Sequence, residues 1–288
     1  VFPVIKIIRD ESSSRKEYEL LEGSKVKIHE SETDSVVVNA SDLKDKVKLI
    51  FEEIKTGSDS AFAIPMTEEL MSRFKVSALN AGNSKKEDII LRIHDYKVGQ
   101  NNNEGFSIKS KLGSPATLLN ASAATNFIYS ISGLKNDKIK EINDIEGKGK
   151  IRKRLSAIRE NGGFFDFVKL DSLVFSKNLR KVETILPEFL AKLLLLYYSD
   201  KGSDFLNLIK NLFEREDEFQ AYDLSEEDCS YKIKLLLSVI ALGMVPAKEW
   251  DGKTRAHGGF IIVREDGEIV CYHLYNFDEF KDYLYKNT

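Results

Sequence analysis

Asp88, Ser107 and Lys109 are the residues whose types and spacing could carry chemistry. Asp88 stands just before the apolar run Ile-Ile-Leu-Arg-Ile, and Ser107-Ile-Lys109 follows a Gly/Asn-rich segment on the next strand-like stretch. Hydrolysis of a phosphodiester needs an attacking water, stabilisation of the charge that builds on phosphorus, and relief of the departing oxygen. Carboxylates holding a magnesium ion, with a lysine beside them, supply all three in a small volume. Side chains alternate along a strand, so Ser107 and Lys109 share one face and Phe106 and Ile108 the other. Asp95 ends the same strand that Asp88 begins and is a second catalytic candidate. At about 3.3 Å of rise per residue the two aspartates stand roughly 20 Å apart on a straight strand, so only one can serve a primary metal site. Asp88 is the expected one. The bland alternatives are a strand-start residue for Asp88, an edge-strand surface lysine for Lys109, and a polar strand end for Asp95.

The elements that must position these residues follow from periodicity. Val4–Ile8, Val26–His29 and Val36–Val38 read as strands, the last as an edge piece. Ser41 opens a helical stretch through Ile54, and Thr67 is the expected N-cap of a helix over Glu68–Lys75. Asp88–His94 and Gly105–Gly113 form a hairpin about a Val98–Glu104 loop, and Ala124–Ser132 alternates as a further strand. From Ile139 the chain turns basic and helical, and helices dominate from Ser176 to Val245. Strands Gly259–Arg264 and Ile269–His273 flank a Glu265-Asp-Gly turn, and a last helix lies near Asp278–Tyr285. The fold class is therefore mixed α/β (α+β), a sheet flanked by helices with a mostly helical insertion. Three regions are expected: 1–136 with the catalytic core, 137–250 mostly helical, and 251–288 a hairpin and helix packed on the core.

Bulk properties exclude several classes. The 288 residues are 42% hydrophobic and 31% charged, an ordinary globular balance, and the net charge of −3 argues against coating nucleic acid by bulk attraction. A local basic cleft remains compatible with that charge. Cys229 and Cys271 are too few for a disulfide scaffold, and the four histidines form no ligand pair, which reads as a reducing, cytoplasmic setting without structural zinc. The apolar stretches near Leu193–Tyr198 and Leu235–Val245 fall short of the roughly 20 residues of a membrane span. The opening Val-Phe-Pro-Val has no signal-peptide character and no initiating Met, as expected of a fragment.

An acidic residue before an apolar strand, then x-x-Lys on the next, is the pattern of PD-(D/E)xK nucleases. The surrounding residues are more specific. Ser84-Lys-Lys-Glu-Asp-Ile, the block Gly105-Phe-Ser-Ile-Lys-Ser-Lys-Leu-Gly-Ser-Pro-Ala-Thr-Leu-Leu-Asn-Ala-Ser, and Ala124-Thr-Asn-Phe closely resemble the core of HpaII-type restriction endonucleases. So do Ala256-His-Gly-Gly-Phe-Ile-Ile-Val and Asp266-Gly-Glu-Ile-Val-Cys-Tyr-His. The resemblance implies a magnesium-dependent cut in duplex DNA at a short palindrome, CCGG in the namesake. It implies a homodimer in a restriction–modification system, alongside a cognate DNA methyltransferase. Asp88 and the Ile108 carbonyl would ligate the metal, Ser107 would reach it through water, and Lys109 would orient or deprotonate the attacking water. The usual glutamate of the half-motif is Ser107 here, so another carboxylate must serve; Glu52, Glu53 and Glu104 are candidates. The resemblance also implies a helix ahead of the opening strand and a strand beyond Thr288. Rival readings are a structure-specific or repair endonuclease, or a DNA-binding protein on a degenerate nuclease scaffold.

For DNA contact the basic run offers Lys150, Arg152, Lys153 and Arg154, which would neutralise phosphates without reading sequence. Such a run is more often a solvated helix face. Asn120 and Asn126 could reach base edges or cap the local turn. His257-Gly-Gly and Cys271-Tyr-His fit hairpin flanks better than a metal site.

Overall fold

The computed structural model describes residues 3–11, 15–30, 33–57, 63–77, 86–97, 99–112, 122–199, 201–214 and 223–288. The chain divides into two compact units, one of residues 1–117 and 253–275, the other of residues 118–252 and 276–288.

The first unit is built on an eight-stranded mixed sheet. Its strands are β1 (Val4–Asp10), β2 (Arg15–Leu21), β3 (Lys25–His29), β4 (Ser35–Asn39), β5 (Ile89–Asp95), β6 (Gln100–Ser110), β9 (Gly259–Val263) and β10 (Ile269–His273). Their order across the sheet is β10-β9-β6-β5-β1-β2-β3-β4. Only the β6–β9 pairing is parallel, which makes the sheet mixed. The expected mixed sheet with flanking helices is thus observed, and the 259–273 strands rejoin it through β9. Leu91, Ile93 and Phe106 form one buried cluster with Val4, Ile7, Ile89 and Ile261 against it. Tyr18, Val26 and Ile28 form a second, covered by Phe74 and Val76.

Three expectations need correction. β2, Arg-Lys-Glu-Tyr-Glu-Leu-Leu, pairs with both β1 and β3 although its charges mask the alternation. The asparagines of the expected loop belong to β6, because Ile93 pairs with Asn102 and Asp95 with Gln100. Helix α2 (Pro65–Arg73), which follows α1 (Leu43–Thr56), begins at a proline in its first turn rather than after Thr67. Proline has no amide to leave unsatisfied there, so it starts the helix.

In the second unit β7 (Phe127–Ser132) pairs antiparallel with β8 (Phe164–Leu170), a strand not anticipated within the helical region. Helices α3 (Asn136–Asn143) and α4 (Lys150–Glu160) lie between them in sequence. Four more follow: α5 (Leu173–Val182), α6 (Leu186–Tyr197), α7 (Phe205–Phe213) and α8 (Glu226–Leu242). The last helix, α9 (Phe277–Lys286), packs on α8 through Lys234–Asp282 at 2.6 Å and Ser230–Tyr285 at 2.8 Å. Leu179, Leu186, Phe189, Leu212 and Ile233 are fully buried at its core. No helix among the described residues is long and apolar enough to cross a membrane.

Candidate active site

Asp88 enters the site because its own amide donates to the Phe106 carbonyl at 2.9 Å, which fixes the chain beside β6 just before β5 begins. Its carboxylate is then held from the neighbouring strand: the Ile108 amide donates to Oδ2 at 2.7 Å and the Ser107 hydroxyl to the same oxygen at 3.2 Å. Hydrogen bonds to an ionised acceptor are the strong ones. Both donors act on one oxygen, so Asp88 is oriented rigidly with Oδ1 available to another partner. Ser107 is buried at 1% exposure, so its hydroxyl positions Asp88 rather than facing bulk water.

Lys109 lies two residues on, half-buried, on the same face of β6 as Ser107. Lys86 joins the cluster from the segment before Asp88. Burial pushes its ammonium down to about 8, with the Lys109 charge adding to the depression and Asp88 opposing it. Glu87 is 8% exposed, and its Oε2 is buried with no hydrogen-bond partner among the described residues. Sequence reasoning, looking for a carboxylate at a distance, passes over Glu87; its only signal is adjacency to Asp88.

Asp95 is not brought to this cluster. It ends β5 opposite Gln100, accepts the Gly99 amide on its carbonyl at 2.8 Å, and accepts the Lys97 amide on its carboxylate at 2.8 Å, as a turn residue does. Glu104 alternates onto the Phe106 face, opposite Ser107, and pairs with His257 at 3.1 Å. Glu52 and Glu53 are exposed on α1.

The remaining candidates lie in the second unit. Lys150 pairs with Glu146 at 3.0 Å. Arg154 donates to the Ile145 and Asn143 carbonyls at 3.0 and 2.6 Å and pairs with Glu146 at 3.0 Å. Arg152 lies over the Tyr197 ring at 5.2 Å. Lys153 is exposed. Asn126 ends a short turn closed by Ser122 and Thr125, and its carbonyl accepts the Asp171 amide at 2.9 Å. Asn120 lies outside the described residues.

The donor set suits a hard divalent cation: carboxylate oxygens, a strand carbonyl and an unpartnered buried Glu oxygen. No three His, Cys, Asp or Glu side chains converge among the described residues.

A large mixed sheet flanked by helices is consistent with a restriction-endonuclease-like architecture. The chain belongs to the HpaII restriction endonuclease family, which it matches over residues 1–288. A curated relative, Type II restriction enzyme HpaII of Haemophilus parainfluenzae, is 40% identical over 293 aligned residues, covering 100% of this chain and 80% of the relative. No solved structure matches the chain. It is accordingly a type II endodeoxyribonuclease acting on double-stranded DNA, a class that generally uses divalent metal ions.

Proposed function

We propose that this endonuclease cleaves both strands of a short CCGG-like palindrome with magnesium as its cofactor. It acts as a homodimer in the cytoplasm, within a restriction–modification system that includes a cognate methyltransferase. The observation that carries the chemical part is the clamp of Ile108 and Ser107 on Asp88 Oδ2, one residue before Lys109. Asp88 and the Ile108 carbonyl would hold the magnesium ion, which when bound neutralises charge on the scissile phosphate and its leaving oxygen. Ser107 keeps the Asp88 carboxylate in place. Lys109 would orient the attacking water; only in its neutral form could it take that water's proton. Lys86, half-buried beside it, adds positive potential toward the phosphate. A two-fold palindrome is matched by a two-fold dimer, in which each site serves one strand.

The test is cleavage of plasmid DNA carrying mapped CCGG sites, with magnesium and with chelator. Discrete fragments ending at those sites, seen only with magnesium, are the expected outcome. Fragments mapping to another sequence would overturn the CCGG assignment, and undiminished cutting in chelator would overturn the metal.

A further inference from the structure

We propose that Glu87 supplies the carboxylate missing from Ser107-Ile-Lys109 and shares the divalent cation with Asp88; this rests on the Asp88 metal reading above. The first observation is placement. Gly105, Ser107 and Lys109 alternate onto one face of β6, and the Glu87 Cβ lies 3.3 Å from where a Cβ on Gly105 would stand. Glu87 therefore covers the face that carries the serine and the lysine, next in sequence to the clamped Asp88. Glu104, on the opposite face, is already matched by His257.

The second observation is the state of the side chain. Glu87 is more than nine-tenths buried, yet Oε2 accepts no hydrogen bond among the described residues. A buried carboxylate is costly unless it is paired or coordinates a metal. The two lysines of the cluster act on each other and on Asp88, and neither forms an ion pair with Glu87 in this structure. A cation between Glu87 and Asp88 Oδ1 pairs that oxygen and gives the metal the second acidic ligand that the serine cannot provide. The strand then needs no glutamate at position 107, because the residue before Asp88 does that work.

The experiment uses the full chain and the isosteric Glu87→Gln variant, with Glu104→Gln and Asp88→Asn for comparison, and Mn2+ as the probe. Mn2+ binding is measured by calorimetry and by the shift in thermal unfolding, with plasmid cleavage beside them. Without metal, Glu87→Gln is expected to melt near the wild-type temperature, because the buried Oε2 has no hydrogen-bond partner to lose. Its Mn2+ affinity should fall by at least about tenfold and the metal-induced rise in Tm should shrink accordingly. Cleavage should fall by at least about a hundredfold, with DNA affinity in chelator unchanged. Glu87→Asp, which keeps the charge but shortens its reach, should fall between. Wild-type Mn2+ affinity in Glu87→Gln, alongside its loss in Asp88→Asn, overturns this assignment and leaves the Asp88 site standing. A metal-free Tm that drops while Mn2+ affinity holds makes Glu87 structural and also overturns it. Failure of the wild-type chain to bind Mn2+ overturns both.

Discussion

Ser107 stands where this nuclease pattern ordinarily has a glutamate, and its hydroxyl is spent on Asp88 Oδ2 rather than on solvent. The Ile108 amide holds the same oxygen more closely, so Ser107→Ala leaves Asp88 one firm anchor. Loss of such an outer hydrogen bond typically costs about 10- to 100-fold in metal affinity or rate, and that is the expected drop in cleavage. Asp88→Asn removes the carboxylate proposed to hold the metal and should eliminate magnesium-supported cutting. Asp95→Asn touches only the carboxylate that accepts the Lys97 amide and should keep most of the rate. Reversed results for the two aspartates in a single-turnover assay would mean that chemistry sits at the other end of β5. Lys109→Ala should abolish cleavage while specific DNA affinity stays within about tenfold, since a charge near the scissile phosphate matters chiefly in the transition state. Wild-type rates in that variant would remove the lysine from the mechanism.

The neighbours of β6 leave no room for a side chain at Gly105. A Cβ there would stand 2.0 Å from the Arg255 carbonyl oxygen, a backbone atom that cannot swing aside, while the Gly258 amide bonds the Gly105 carbonyl at 2.8 Å. Gly105→Ala should therefore push the 255–259 segment off β6 and lower stability by about 1–3 kcal/mol, the usual range for overpacking. Cleavage should fall with it, because Ser107 is two residues away on the same strand; an unchanged Tm would show that the segment yields freely. These contacts explain which elements were legible. Apolar runs such as Val4–Ile8 and Ile89–Ile93 announce their strands, and Glu265-Asp-Gly announces its turn. The Asn101–Asn103 stretch reads as loop because asparagine is a poor strand former, and it becomes strand because β5 offers it a ladder of partners. β8, Phe-Phe-Asp-Phe-Val-Lys-Leu, does alternate, and only the helical segments around it hide the signal. At the site, spacing alone names Asp88, Ser107 and Lys109 as candidates, whereas Glu87 needed the fold: its burial and its place over Gly105 exist only once β6 and the preceding segment pack together.

Over the whole molecule the net charge is −3, so binding of duplex DNA must draw on local clusters rather than on the overall field. The densest one in sequence runs from Lys148 through α4 to Arg159, and its members do not have the same standing. Arg154 bonds the carbonyls of Asn143, the last residue of α3, and of Ile145 just beyond it, and shares Glu146 with Lys150, so it ties the start of α4 to the end of α3. Arg152 rests on Tyr197. Lys148 and Lys153 are exposed, with no ion pair among the described residues, and are the members able to neutralise phosphates without loosening the unit. Neutralising all of them at once would mix lost affinity with lost structure. The informative comparison is Lys148→Gln with Lys153→Gln against Arg154→Gln alone. The lysine pair should leave Tm unchanged and weaken cognate and random duplexes alike. It should also flatten the plot of log affinity against log salt by about 0.9 per lost phosphate contact. Arg154→Gln should lower Tm first, because it strands two backbone carbonyls and a glutamate, each such loss costing about 1–3 kcal/mol where the group is buried and less where water replaces the donor. A salt slope identical to wild type in the lysine pair would make α4 a solvated face, and the phosphate contacts would then have to come from the lysines around Asp88 and from elsewhere in the first unit.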